Sequence, residues 1–145
     1  MVHRLVVPDA SVILKWVLPC EDEPDLWQAL SLRDSIADGH VRAVVPSLWL
    51  YEVGNTLARR QPERAEGSLG ALSRFDLEDA PQSTRWLECA LDLTQRYGVT
   101  FYDASYHAHA IVGRGVFVTA DERYIARAGR AGSVMPLSEW SAGAA

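Results

Sequence analysis

The chain has 145 residues, 48% of them hydrophobic and 23% charged, a composition that suits one globular domain able to bury a core without disulfide or metal staples. No apolar run approaches the ~18 residues of a membrane helix. Leu5-Val6-Val7 is too short for a signal peptide and meets Pro8-Asp9 at once, so a soluble, cytoplasmic protein is expected. The net charge of −5 argues against a broadly basic nucleic-acid-binding surface and leaves phosphate contact to bound cations or to local arginine groups.

Leu5 to Val7 reads as a buried strand ending at Pro8-Asp9, and Ser11 to Leu18 as a helix. Pro24 opens a second helix, Asp25 to Ala37, that stops at Asp38-Gly39. Val41 to Val45 is a β-branched strand closed by Pro46. Ser47 is placed to cap a helix running to about Arg60, where Pro62 intervenes, and Glu63 to Phe75 is helical but weakened by Gly67 and Gly70. Asp76 to Ala80 holds a short third strand, and Ser83 to Tyr97 is the strongest helix, with Gly98 just past its end. Thr100-Phe101-Tyr102-Asp103 resembles a capping box and introduces a helix to about Val112. Val116 to Val118 follows Gly115 as a fourth strand, Thr119-Ala120-Asp121-Glu122 reads as another box opening a helix to about Ala128, and Ser133 to Met135 is a last strand. The alternation predicts an α/β fold: a three-layer sandwich with a central parallel sheet flanked by helices, one domain over 2–141 and a short flexible tail over 142–145.

Four acids occupy related places in this scheme. Asp9 follows the first strand, Asp121 follows the fourth, Asp103 starts the helix before that strand, and Glu52 lies in the second turn of the helix after Val41 to Val45. In a parallel sheet all four converge on the carboxyl edge, where such folds place their functional residues. Taken singly, Asp9, Asp103 and Asp121 are explained by helix capping and the macrodipole. Glu52 is harder to dismiss, because Leu48-Trp49-Leu50-Tyr51 precede it and Val53 follows. A carboxylate there either reaches solvent at the helix end or has a partner.

The segments Val7-Pro8-Asp9-Ala10-Ser11, Pro46-Ser47-Leu48-Trp49-Leu50-Tyr51-Glu52-Val53-Gly54-Asn55, Tyr102-Asp103-Ala104-Ser105-Tyr106 and Val118-Thr119-Ala120-Asp121 together resemble the successive signature segments of PIN domains. The short chain is most similar to the VapC toxins among them. The resemblance implies that Asp9, Glu52, Asp103 and Asp121 bind magnesium or manganese and cut RNA, with Ser11 and Thr119 supporting the acids by hydrogen bonding. Asp9 and Asp103 are then the main ligands, with Glu52 and Asp121 acting through waters, on a second ion or on the attacking water. It also implies a homodimer and a VapB-like antitoxin whose tail brings an arginine to the acids. Hard divalent cations suit such a carboxylate set, and phosphodiester hydrolysis needs what they supply.

Other residues carry less. Cys20 and Cys89 form no zinc pattern and read as ordinary reduced thiols. His107 and His109 are two apart on a helix and point in different directions; His107 shares the face of Asp103, at the active-site border, the helix surface or the core. His3 and His40 read as structural or exposed. Trp16, Trp27, Trp49, Trp86 and Trp140 fall mostly in packing positions, with Trp16 and Trp49 as candidates for a partner interface. Arg59, Arg60 and Arg64 form one basic group; Arg123, Arg127 and Arg130 form another, spaced for one helical face. The competing readings are a PIN-type nuclease outside toxin–antitoxin control and a non-catalytic binding module of the same fold. A haloacid-dehalogenase-like phosphatase is disfavoured because Ser11 stands where that family needs an acid.

Overall fold

The computed structural model describes residues 4–18 and 22–142. His3, Cys20 and 143–145 of the expected tail lie outside these residues. Five parallel strands form the sheet, in the order β3-β2-β1-β4-β5. They are β1 (Arg4–Pro8), β2 (Val41–Val45), β3 (Glu78–Asp79), β4 (Val116–Thr119) and β5 (Val134–Pro136). β1 and β4 sit at the centre, paired as Val6 with Val116 and Pro8 with Val118.

Alternation along the central strands sorts side chains to two faces. Val7 and Phe117 enter one core cluster, with Trp49, Val53 and Leu57 of α3 (Leu48–Arg60) and Tyr106 and Ala110 of α6 (Phe101–Val112). Val6, Val116 and Val118 enter the opposite cluster, with Ala29 and Leu32 of α2 (Leu26–Ala37) and with Leu137 and Trp140. α1 (Ala10–Val17) divides its residues, Ile13 to the first cluster and Val12 to the second. With both sheet faces covered, the expected three-layer α/β sandwich is what forms.

The remaining helices are α4 (Pro62–Phe75), α5 (Thr84–Tyr97) and α7 (Glu122–Ala128). Gly67 and Gly70 do not break α4, which buries Leu72 and stops at Asp76 with φ 60°. Every residue of α6 from Ala104 to Ala110 is buried, because the sheet covers one side and α5 the other. Ala104 and Ala108 let α5 approach, and Trp86, Ala90 and Leu93 fill the seam. The turn from α6 into β4 then presses on the start of β1. A Cβ on Gly115 would stand 2.3 Å from the Leu5 carbonyl oxygen, so the turn accepts no side chain there.

Several local expectations shift. Asp25, expected as the first residue of α2, is its N-cap in the left-handed region at φ 58°. Thr119 belongs to β4 rather than capping α7; Asp121 is the cap, accepting from the backbone N–H groups of Arg123 and Tyr124. Arg130 lies in a 3-10 turn, Gly129–Ala131, beyond the end of α7, so its arginine group does not share one helical face. Trp49 is buried in the core, while the Trp16 indole N–H donates to the Ala29 carbonyl at 2.8 Å and its ring packs on Phe75. The strongly exposed tryptophan is Trp27, at 81%.

Candidate active site

Strand direction gathers the four acids. Asp9, Glu52 and Asp121 follow the carboxyl ends of β1, β2 and β4. α6 runs back toward the start of β4, so its first turn, with Asp103, lies at that same edge.

Asp9 is buried and occupies the N-cap position of α1, yet its carboxylate caps nothing. Oδ2 instead accepts from the Ser11 hydroxyl at 2.6 Å and the Thr119 hydroxyl at 2.9 Å. Those hydroxyls also tie two loops together: Ser11 Oγ accepts from the Ala120 N–H, and Thr119 Oγ1 accepts from the Asp121 N–H. Burial pushes the Asp9 carboxyl up to about 6, against the two hydroxyl donors and with the charges of Asp103 and Glu52 adding to the rise.

The other acids are bound into the same field. Burial raises the Glu52 carboxyl, the Tyr106 O–H lowers it by donating to Oε1 at 2.6 Å, and Asp103 raises it again. Burial raises Asp103 as well, followed by the charge of Asp121, while Thr100 opposes the shift. Asp121 caps α7 through Oδ1. The capping explanation therefore accounts for one oxygen of Asp121, fails for Asp9 and does not apply to Asp103, whose helix is capped by Thr100.

Among the described residues, no three His, Cys, Asp or Glu side chains already form a ready-made ion cage as placed. The donor set still suits a hard cation. Both hydroxyl donors of Asp9 fall on Oδ2, and magnesium commonly binds through one or two carboxylates with water completing its shell. Mutually repelling carboxylates that resist ionisation are an environment a cation relieves.

Sequence reasoning missed two tyrosines. Tyr106 lies one turn beyond Asp103 and is the partner Glu52 required. Tyr124 donates to His107 Nδ1, while His107 Nε2–H meets the Gly132 carbonyl, each at 2.7 Å. Of the three places open to His107, the structure assigns the core: the ring is buried, and burial lowers its pKa. His109 is also buried, lowered to about 4, and stacks on Trp86 at 4.9 Å. Cys89 is half-buried and free, its thiol raised by burial and then by Asp92.

A three-layer sandwich whose parallel sheet gathers carboxylates at its carboxyl edge defines an α/β protein with an acidic, cation-suited centre. The chain belongs to the PIN domain family, whose model matches residues 6–131 and whose members are generally nucleases. Among solved structures it is similar to a toxin–antitoxin complex from Klebsiella pneumoniae, at 17% identity and TM-score 0.65 over 91% of this chain and 97% of that one. VapBC2 from Rickettsia felis, bound to a promoter DNA fragment, matches at 16% identity and TM-score 0.63, over 91% and 96%. PAE2754 from Pyrobaculum aerophilum matches at 20% and 0.64, over 93% and 90%. None of the curated proteins searched matches this chain. The chain contains no helix long and apolar enough to cross a membrane, among the described residues.

Proposed function

We propose that this protein is a magnesium- or manganese-dependent endoribonuclease, the cytoplasmic toxin of a toxin–antitoxin pair. The observation that carries the reading is the buried Asp9 carboxylate, held by hydroxyls from two loops and facing the charges of Glu52 and Asp103 in a PIN-family sheet. Asp9 and Asp103 would hold a divalent cation, with Glu52 and Asp121 around it. When bound, such an ion lowers the pKa of water and offsets charge on the phosphoryl oxygens. Ser11 and Thr119 fix the rotamer of Asp9. Tyr106 fixes Glu52, leaving that carboxylate to orient the attacking water and take one of its protons as the water oxygen bonds to phosphorus, while the bond to the leaving oxygen breaks and that oxygen takes a proton from solvent.

Similarity to structures described as toxin–antitoxin complexes supports a small antitoxin partner. An arginine from a basic segment of that partner would pair with the acidic edge through two hydrogen bonds and compete with the cation. The protein is expected to act as a homodimer. The test is cleavage of cellular RNA by purified protein with magnesium or manganese, with excess chelator, and with Asp9→Asn. Full activity in chelator or in the variant overturns the mechanism. Binding of the adjacent small gene's product without loss of cleavage overturns the proposed inhibition.

A further inference from the structure

Beside the acidic edge lies a cavity of a different character. It measures about 170 Å3 and is lined by Ser47, Leu48, Gln82, Trp86, Phe101 and Tyr102 among others, none of them charged. Its aromatic wall is fixed in place. The Trp86 indole N–H donates to the Ser105 carbonyl at 3.0 Å, His109 stacks behind the Trp86 ring, and Phe101 meets it edge-on at 5.9 Å. Tyr102 is 64% exposed at the mouth. Ser47 occupies the N-cap position of α3, but its exposed hydroxyl makes no cap hydrogen bond.

The occupant must be flat, uncharged and linked to whatever binds at the acids. The pocket has no cation to attract phosphate, and an internal cavity of roughly 150 Å3 accommodates a benzene-sized ring. Tyr102 immediately precedes Asp103, one Cα step of ~3.8 Å away. Leu48 stands four residues before Glu52 on α3, about 6 Å along the axis at ~1.5 Å per residue. A strand whose phosphate lies at the acids therefore brings its neighbouring base to this wall. We propose that the neutral aromatic pocket between the starts of α3 and α6 holds one unpaired nucleobase of the RNA strand cut at the acidic edge. The proposal rests on the ribonuclease reading above. Stacking on the exposed Tyr102 ring supplies affinity, with buried Trp86 closing the back of the pocket, and Ser47 with the Gln82 amide supplies discrimination through a donor and an acceptor.

The test uses the whole protein labelled with nitrogen-15, following the Trp86 indole N–H during titration with AMP, GMP, CMP, UMP and inorganic phosphate. The nucleotides should shift that signal and phosphate should not. Tyr102→Ala, at an exposed position, should weaken binding of a short single-stranded RNA by roughly 5- to 100-fold, with Tyr102→Phe restoring it. Gln82→Ala should narrow the differences among the four nucleotides. Nucleotides that shift the signal no more than phosphate, or a Tyr102→Ala variant that binds RNA normally, overturn the base site. So does a Tyr102→Ala variant weakened only toward a protein partner. A nucleotide-dependent shift in a protein that cuts no RNA supports the pocket and refutes the nuclease reading; RNA cleavage without that shift does the reverse.

Discussion

Replacing Asp9 by Asn should stabilise the ion-free protein while abolishing its activity. In the folded state the carboxyl titrates at about 6 rather than 3.8. At ~1.36 kcal/mol per pH unit, ionised Asp9 costs the fold about 3 kcal/mol at neutral pH relative to the unfolded chain. Because the folded value is the higher one, the penalty is absent below the unfolded pKa, and the stability of the protonated fold is lost as pH rises through about 6. At pH 4.5 the same two values leave a deficit of only about 1 kcal/mol. Asparagine retains a carbonyl oxygen that can accept from Ser11 and Thr119, and its amide meets Glu52 and Asp103 without repulsion. Unfolding in chelator should therefore show Asp9→Asn melting roughly 6–12 °C above the natural protein at pH 7.5, with the gap shrinking toward pH 4.5. Millimolar magnesium should raise the natural protein and leave the variant nearly unchanged. A variant no more stable at pH 7.5, or one whose advantage does not shrink in acid, refutes the account of Asp9 as a buried, repelled carboxylate.

Three further outcomes follow from the same contacts. Cleavage and magnesium affinity should fall as pH drops through about 6, where Asp9 takes up its proton, and Thr119→Val should move that acid limb upward in a pH–rate profile by removing a donor to Asp9. Tyr106→Phe should leave the fold intact at a cost of about 1 kcal/mol and lower the cleavage rate roughly 10- to 100-fold, since Glu52 loses the group that orients it; normal turnover would remove Tyr106 from the mechanism. Gly115→Ala should lower stability by about 1–3 kcal/mol in denaturant unfolding, because its Cβ meets backbone rather than a yielding side chain.

Local chemistry was legible where neighbours in the chain decide it. Val41 to Val45 is a strand with the expected bounds because a β-branched run meets Pro46, and α5 is capped by Ser83 and closed by Gly98 at φ 65°. The acids' common edge could be read because strand ends in a parallel sheet share a direction. What could not be read depends on partners distant in sequence. Thr119 carries a capping pattern, but Asp9, 110 residues away, takes its hydroxyl, and the helix start moves to Asp121. Tyr106 meets Glu52 across 54 residues, and no local pattern distinguishes it from an ordinary core tyrosine. Trp16 and Trp49 looked available for a partner because apolar periodicity shows which side chains want burial, not which helix will bury them.

The central pairing of β1 with β4 also sets a timetable for synthesis. Asp9 is made 110 residues before its Thr119 donor, and the loop bearing Asp121 follows that donor directly. A nascent chain that has passed Asp103 holds three of the acids, yet it lacks the strand that aligns Asp9. The site can close only after β4 enters beside β1, so a stalled or truncated translation product would be unable to complete it. Acidic residues spread from Asp9 to Asp121 thus defer assembly of the centre until the ribosome has passed the last of them.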